Sequence, residues 1–381
     1  MRKKEVFIVA DNIISPLGAT TAANFSMLTQ NLSGVKEHTE FSMSDQPFFA
    51  SLLNEERGGG TLTDKYTRFE KLLIRSIEEA LSQSPIQLSD KRTILIISTT
   101  KGNIGLLETN EVTEELNQRV ALHTSASILR DNFQCAHQPI VLSNACISGS
   151  LALLLAKRLI NSGQFDHAVV SGADTISKFI FSGFQSFQAI SPAACKPFDK
   201  SRLGINLGEG AGTMILSSDL NLSSGIQLSG GSTSNDANHI SGPSRTGQEL
   251  CQAINHAMKD AGVAAHEIGL ISAHGTATLY NDEMEALAVN LAGLQEVPLN
   301  SLKGFYGHTL GAAGIIESII SAQSLQHDLV MGSKGFETSG VSMPLNISSA
   351  VRQVSVKHCL KMASGFGGCN AAIILSKQSI N

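Results

Sequence analysis

Short apolar runs, each about the length of a strand, alternate along this chain with longer stretches of helical periodicity. That alternation restricts the fold more than any other feature. Glu5–Ala10 (EVFIVA), Thr93–Ser98 (TILIIS) and His167–Ser171 (HAVVS) are nearly continuous in apolar residues, as strands covered on both faces are. Lys71–Leu81 and Ser148–Ile160 fall between them and read as helices. The second half repeats the theme, with strands at Gly225–Ser229, Glu267–Ser272 and Ala371–Leu375 and helices at Gly247–Ala261 and Gly311–Leu325. The expected class is α/β, with sheets and helices in layers.

A weak internal repeat divides the chain in two. GEGAGTMILSS (208–218) and GFGGCNAAIILSK (365–377) are both glycine-rich approaches to an apolar run ending in Leu-Ser. With Leu216 set against Leu375, glycine-to-helix turns at Cys146-Ile-Ser-Gly and His308-Thr-Leu-Gly fall at a similar separation. The expected boundary lies near Leu220, in the stretch SSDLNLSSG, giving halves of residues 1–220 and 221–381.

Composition narrows the class of function. Of 381 residues, 42% are hydrophobic and only 16% charged, so a large core is available and disorder is excluded. The balance of 28 basic against 33 acidic residues argues against nucleic-acid binding driven by bulk charge. No apolar run reaches the roughly 18 residues that span a bilayer. The opening MRKKEVFIVAD has an apolar stretch too short for a signal peptide. Six cysteines without a CxxC, and no metal-ligand spacing, point to a reduced, cytoplasmic protein with no metal.

Three segments can carry chemistry. In SNACISGSLALLLAKRL (143–159), Cys146 stands between a strand-like run and a helix, where the helix dipole favours thiolate and free backbone N–H groups can bind an oxyanion. In LISAHGTATLYNDEMEAL (270–287), His274 follows an apolar strand. In SLKGFYGHTLGAAGIIES (301–318), His308 precedes a helix whose glycines and alanines imply close backbone packing; Lys303 lies upstream and Glu317 inside the helix. Taken singly, Cys146 reads as a small buried apolar residue and each histidine as a satisfied core or loop side chain. GEGAG and GFGG lead into strands rather than helices, so they are not nucleotide loops.

Together these segments resemble the β-ketoacyl-acyl carrier protein synthases, the elongating Cys-His-His condensing enzymes of the thiolase superfamily. The resemblance runs over nearly the whole chain, from VADNIISPLG (9–18) through SNACISG, GFQSFQAISPAACKPFDKSRLGINLGEGAG (183–212), HGTATLYNDEMEA and LKGFYGHTLGAAGIIE to SGFGGCNAAIIL. It implies a five-layered α-β-α-β-α sandwich of two pseudo-duplicated halves. It makes Cys146 the acyl-accepting nucleophile, and His274 and His308 the pair that binds the malonyl thioester carbonyl. Lys303 then sets the electrostatics, with Glu317 and Asp282 in support. Phe366 becomes the gate, its N–H forming the oxyanion hole with that of Cys146. Thr276 and Thr278 would contact the phosphopantetheine arm, which the carrier protein brings, so no resident cofactor is implied. Lys65 and Arg68, with Lys71 beside them, match basic positions where an acidic carrier docks; the plain reading of these charges is a solvated helix face. The resemblance also implies a homodimer, with a heterodimer open.

Several positions depart from the family pattern. The usual HGTGTPLGD is HGTATLYND here, so that Ala277 replaces a glycine and Leu279-Tyr280-Asn281 replace Pro-Leu-Gly; Leu203 stands where an aspartate is usual. An altered pocket, and a role in either fatty-acid or polyene-type chain elongation, are the expectation. A chain-length partner of a synthase heterodimer would lack the cysteine. A thiolase would carry a CxG near its end, a priming synthase an asparagine for His308, and a cysteine hydrolase would leave Lys303 and His308 without a role.

Overall fold

The computed structural model of the chain describes residues 4–39, 43–53, 65–238 and 240–378. The first three residues of the positively charged start lie outside them. Ten strands form the body: β1 (Phe7–Ile14), β2 (Thr93–Ser98), β3 (Ile140–Leu142), β4 (His167–Asp174), β5 (Gly210–Ser217), β6 (Ile226–Asn235), β7 (Ile268–Ser272), β8 (Leu299–Asn300), β9 (His358–Gly365) and β10 (Cys369–Lys377). Their order across the sheet is β8-β7-β9-β10-β6-β1-β5-β4-β2-β3. The first five and the last five repeat one topology. In each set the second strand is parallel to the third and fourth, the fourth is antiparallel to the fifth, and the fifth is antiparallel to the first. The sets meet at a single register pair, Phe7 with Gln227.

Helices complete the layers. Outside the first sheet lies α1 (Arg68–Ser82), and α2 (Ser148–Asn161) lies on its inner face. Outside the second sheet lie α3 (Gln248–Ala261) and, against it, α4 (Leu279–Leu291). On the inner face of that sheet, α5 (Ala313–His327) packs against α2. The expected α-β-α-β-α sandwich is the observed one. Residues Ala313 to Ala322 of α5 are all buried, which is what a helix enclosed between two sheets requires. The α2–α5 approach depends on glycine: a Cβ on Gly314 would lie 2.3 Å from the Ser150 backbone nitrogen, and one on Gly149 would lie 2.9 Å from the Gly311 carbonyl. The largest apolar cluster fills this central layer, with further clusters beneath α1 and beneath α3 and α4.

Buried ion pairs fix the periphery of the first half. A capping box closes the start of α1, Thr67 accepting from the Glu70 N–H and Glu70 accepting from the Thr67 N–H. The same Glu70 carboxylate takes two hydrogen bonds from Arg119, both 2.6 Å, and one from Ser125. Burial alone would raise the Glu70 carboxyl; these bonds outweigh it and hold the group below the usual carboxylate range.

Candidate active site

The turn between β3 and α2 presents Cys146. Ala145 adopts a left-handed conformation (φ 45°), which an L-residue holds only where its surroundings enforce it. Ser148 enforces it here: its hydroxyl donates to the Ala145 carbonyl and accepts from the Asn144 N–H. The thiol is thereby placed directly ahead of α2. Its surroundings favour the protonated thiol. Burial pushes it up to about 12, nearby Cys369 adds to this, and Lys303 together with a hydrogen bond from the Phe366 N–H oppose it only in part. Burial therefore works against the thiolate that the helix start favours.

His274 leaves the end of β7. Its N–H and that of Gly275 donate to the Glu285 carboxylate at 2.7 and 2.6 Å, and Asn281 donates to the same group at 2.8 Å. His308 is held between the backbone of Asn206 and Gly208, giving a 2.7 Å bond to the Asn206 carbonyl and accepting one from the Gly208 N–H. Gly307 makes this possible: its φ is 65°, and a Cβ there would stand 2.5 Å from the Leu207 carbonyl. The two imidazoles meet edge to face, with centroids 5.2 Å apart. Their donor atoms and the Cys146 sulfur all lie within 4.8 Å of one another. Both nitrogens of His308 and Nδ1 of His274 are buried without a protein partner among the described residues. Both rings are held well below the usual imidazole range, by burial first and then by the charge of Lys303. Both effects favour the neutral form, and three of the four ring nitrogens are without a protein partner among the described residues.

Lys303 is fully buried and donates to Glu317 on α5. Asp282 accepts from the Phe198 N–H at 2.7 Å and lies 3.7 Å from Arg202. The hydroxyls of Thr276 and Thr278 bond each other at 2.8 Å on the cleft wall. Phe366 forms an aromatic group with Phe184 and Phe187, at centroid distances of 5.5 and 5.2 Å. The cleft itself holds about 580 Å³ and is lined by Cys146, both histidines and Phe366.

Outside the cleft, the basic docking positions divide. Lys65 is exposed and lies over the Tyr66 ring, and Lys71 is exposed. Arg68 is not a surface cation: its side chain is 14% exposed and makes two 2.6 Å bonds to buried Glu209, which also accepts from the N–H groups of Leu53 and Ile176. Arg68 is therefore corrected from a docking position to an internal tie, since its guanidinium is consumed by a carboxylate that joins three segments.

Two residues of the site escaped the sequence reading. Glu285 holds the His274 turn; the signal was its place four residues after Asn281, one helical turn along α4. Lys361, fully buried on β9, lies 2.6 Å from Glu317; the signal was a lone lysine inside the apolar run HCLKMASG. The three atoms of Cys146, His274 and His308 are also, among the described residues, the one set of such side chains close enough to share a metal ion.

The sequence matches the family models described as the beta-ketoacyl synthase N-terminal domain, over residues 3–221, and C-terminal domain, over residues 226–337. The chain belongs to the beta-ketoacyl synthase family. This ketoacyl synthase is 28% identical to the 3-oxoacyl-[acyl-carrier-protein] synthase 2 of Vibrio cholerae over 414 aligned residues, covering 99% of this chain and 100% of the relative. It is also 28% identical to the tetracenomycin polyketide synthase ketoacyl synthase alpha subunit of Streptomyces glaucescens, covering 98% and 97%. Among solved structures it resembles the ishigamide ketosynthase/chain length factor (TM-score 0.91, 25% identity, covering 99% and 100%). It also resembles a ketosynthase in complex with its chain length factor from Xenorhabdus doucetiae (TM-score 0.87, 26% identity, covering 98% of each chain). The ketoacyl synthase has no helix among its described residues long and apolar enough to cross a membrane.

Proposed function

We propose that this chain is an elongating 3-oxoacyl-carrier-protein synthase, which lengthens an acyl chain by two carbons. The observation that carries the reading is the meeting within 4.8 Å of one thiol and two imidazoles, three of whose four nitrogens lack a protein partner among the described residues. In the first step the Cys146 thiol gives its proton to a neighbouring imidazole and the sulfur attacks the donor thioester. The old carbon–sulfur bond breaks, and the carrier thiol leaves with the proton. In the second step His274 and His308 donate to the carbonyl of a malonyl thioester. Carbon dioxide departs, and the electron pair of the broken bond becomes an enolate that the two donors stabilise. The enolate carbon attacks the acyl-cysteine. The developing oxyanion faces the N–H groups of Cys146 and Phe366; as the tetrahedral state collapses the carbon–sulfur bond to Cys146 breaks, and the departing sulfur takes a proton from solvent to restore the thiol. Enclosure protects the acyl-cysteine from water.

Lys303 and Glu317 set the charge around the pair, and Asp282 supports the turn. Thr276 and Thr278 steady the arm of the incoming carrier. The division at residue 220 leaves the nucleophile in one half and the two histidines and Lys303 in the other. The reading implies a dimer, with itself or with a subunit of the chain-length-factor kind; β3, the terminal strand of the sheet with half-buried residues, supports this. A carrier-dependent synthase of this kind works in the cytoplasm. The test is intact-mass analysis after incubation with acyl-carrier proteins. The native chain gains an acyl group that Cys146→Ala does not; a folded native chain that gains none across the panel overturns the reading.

A further inference from the structure

The reading above uses one lysine, and the site contains two. Lys361 belongs to β9 and stands in register with Ser272 of β7, two residues before His274. Its strand neighbours Cys359, Leu360, Met362 and Ala363 are apolar and buried, and Lys361 itself has no exposed surface. The ammonium reaches Oε2 of Glu317 at 2.6 Å, while Lys303 takes Oε1 of the same carboxylate. It also donates to the Met362 carbonyl and, more weakly, to those of Ser272 and Ala273 at 3.5 and 3.4 Å. An ammonium stripped of water in a sheet interior is costly unless the surroundings require its charge.

The charges show what it supplies. Glu317 is one carboxylate between two ammonium groups. It cancels one of them, and the triad keeps a net positive charge. The other ionisable groups around the imidazoles cancel only part of it. On α4, Glu285 is pushed up to about 7 by burial and by Asp282, and Asp282 is pushed up to about 6 by burial, with Arg202 beside it. Tyr306, near Glu317, and Cys146 are both pushed upward by burial and stay protonated. Cys359, on the strand of Lys361, stays protonated for the same reason. Asp174 is raised by burial and spends its oxygens on Thr99, Thr100 and the Gly311 N–H. Burial lowers Lys361 and Glu317 opposes this.

We propose that Lys361 is a positioning residue of the condensation site: it ties Glu317 to the end of the His274 strand and adds positive charge that, together with burial and Lys303, keeps both imidazoles neutral. The proposal rests on the condensation reading. Neutrality matters because a neutral imidazole donates to an enolate without surrendering its proton. An imidazolium would protonate the enolate carbon, releasing an acetyl thioester and carbon dioxide with no carbon–carbon bond formed, and would regain its proton from solvent.

The test compares the full-length enzyme with Lys361→Met and Lys361→Arg. Lys361→Met is expected to move the acid limb of the condensation rate upward by about one pH unit. It should also raise the share of malonyl thioester released as acetyl thioester. Lys361→Arg, which keeps the charge, is expected to retain the parent limb. A nitrogen NMR titration of histidine-labelled protein reports the same shift without activity, so it separates this proposal from the condensation reading should the native enzyme fail to condense. An unmoved imidazole titration in Lys361→Met overturns the proposal, even if the rate falls. If Lys361→Met does not fold, a Lys361→Arg enzyme with a limb shifted upward overturns it equally.

Discussion

At the scale of single residues, the chemistry is governed by loss of water. Cys146 has a thiol pushed up to about 12, so its thiolate fraction rises tenfold per pH unit across the accessible range. Alkylation by iodoacetamide should therefore climb log-linearly from pH 7 to 10; a plateau near pH 8 would show an activated thiolate instead. His308→Ala should retain the acyl adduct on Cys146 yet lose roughly 10²–10³-fold in malonyl decarboxylation, the size expected when one oxyanion donor is removed. Single-turnover loading and release of carbon dioxide, measured separately, distinguish the two steps. The cysteine and both histidines were legible in sequence because each sits in a short glycine-bearing turn with a distinctive neighbourhood. Lys361 and Glu285 were not. Their roles arise from pairings across β7, β9, α4 and α5, and no local spacing encodes a partner on another element. Ala277, which departs from a family glycine, does hold the left-handed backbone that glycine favours (φ 61°).

At the scale of elements, tight packing and buried pairs make sharp demands. Gly314→Ala would place a methyl 2.3 Å from the Ser150 nitrogen, and separating α5 from α2 should cost about 1–3 kcal/mol, measured by denaturant titration. Glu70→Ala leaves Arg119 buried without its carboxylate and should cost about 3–5 kcal/mol at neutral pH. Because Glu70 is held below its unfolded value, its contribution is complete above pH 4.5 and is lost as the pH falls through the folded value. The difference between native and variant chains should accordingly shrink in acid; a constant difference would argue that packing, not charge, is lost. Strands read from continuous apolar runs were found in place, though often too short. β1 continues through Asp11 and Asn12 to Ile14, where polar residues ended the apolar signal, and Asn12 is fully buried. β9 was missed because Lys361 interrupts its run. α4 was missed because Tyr280, Asn281, Asp282 and Glu283 open it with a loop-like composition.

At the scale of the whole molecule, the mouth of the cleft differs from the rest of the surface. Phe187, Leu203, Ile240, Leu279 and Tyr280 all line it and are all exposed, Tyr280 at 79%. Such a cluster is uncommon on a surface that nothing covers. Three of the five sit at positions that depart from the family pattern, and the one nearby arginine of the lining, Arg202, is buried and internally bonded. A carrier protein seated here would be gripped by apolar contact more than by charge. The double variant Leu279→Ser with Tyr280→Ser should raise KM for the carrier-bound thioester roughly tenfold, with little effect on a small pantetheine thioester. Raising the salt concentration should change the native KM little. A steep salt dependence abolished by Lys65→Glu would restore the basic patch as the docking surface.

The two sheets carry the same topology and meet at one register pair, with the thiol on one side and the imidazoles on the other. This sets an order of events as the chain is made. Synthesis proceeds from the amino end, so Cys146 emerges long before His274, His308 or the Phe366 amide. The inner face of the first sheet waits for α5 to cover it. Until then the nascent chain holds Cys146 with neither imidazole beside it and with one of the two oxyanion donors still missing. The site is thereby incomplete until the second copy of the fold closes over the first.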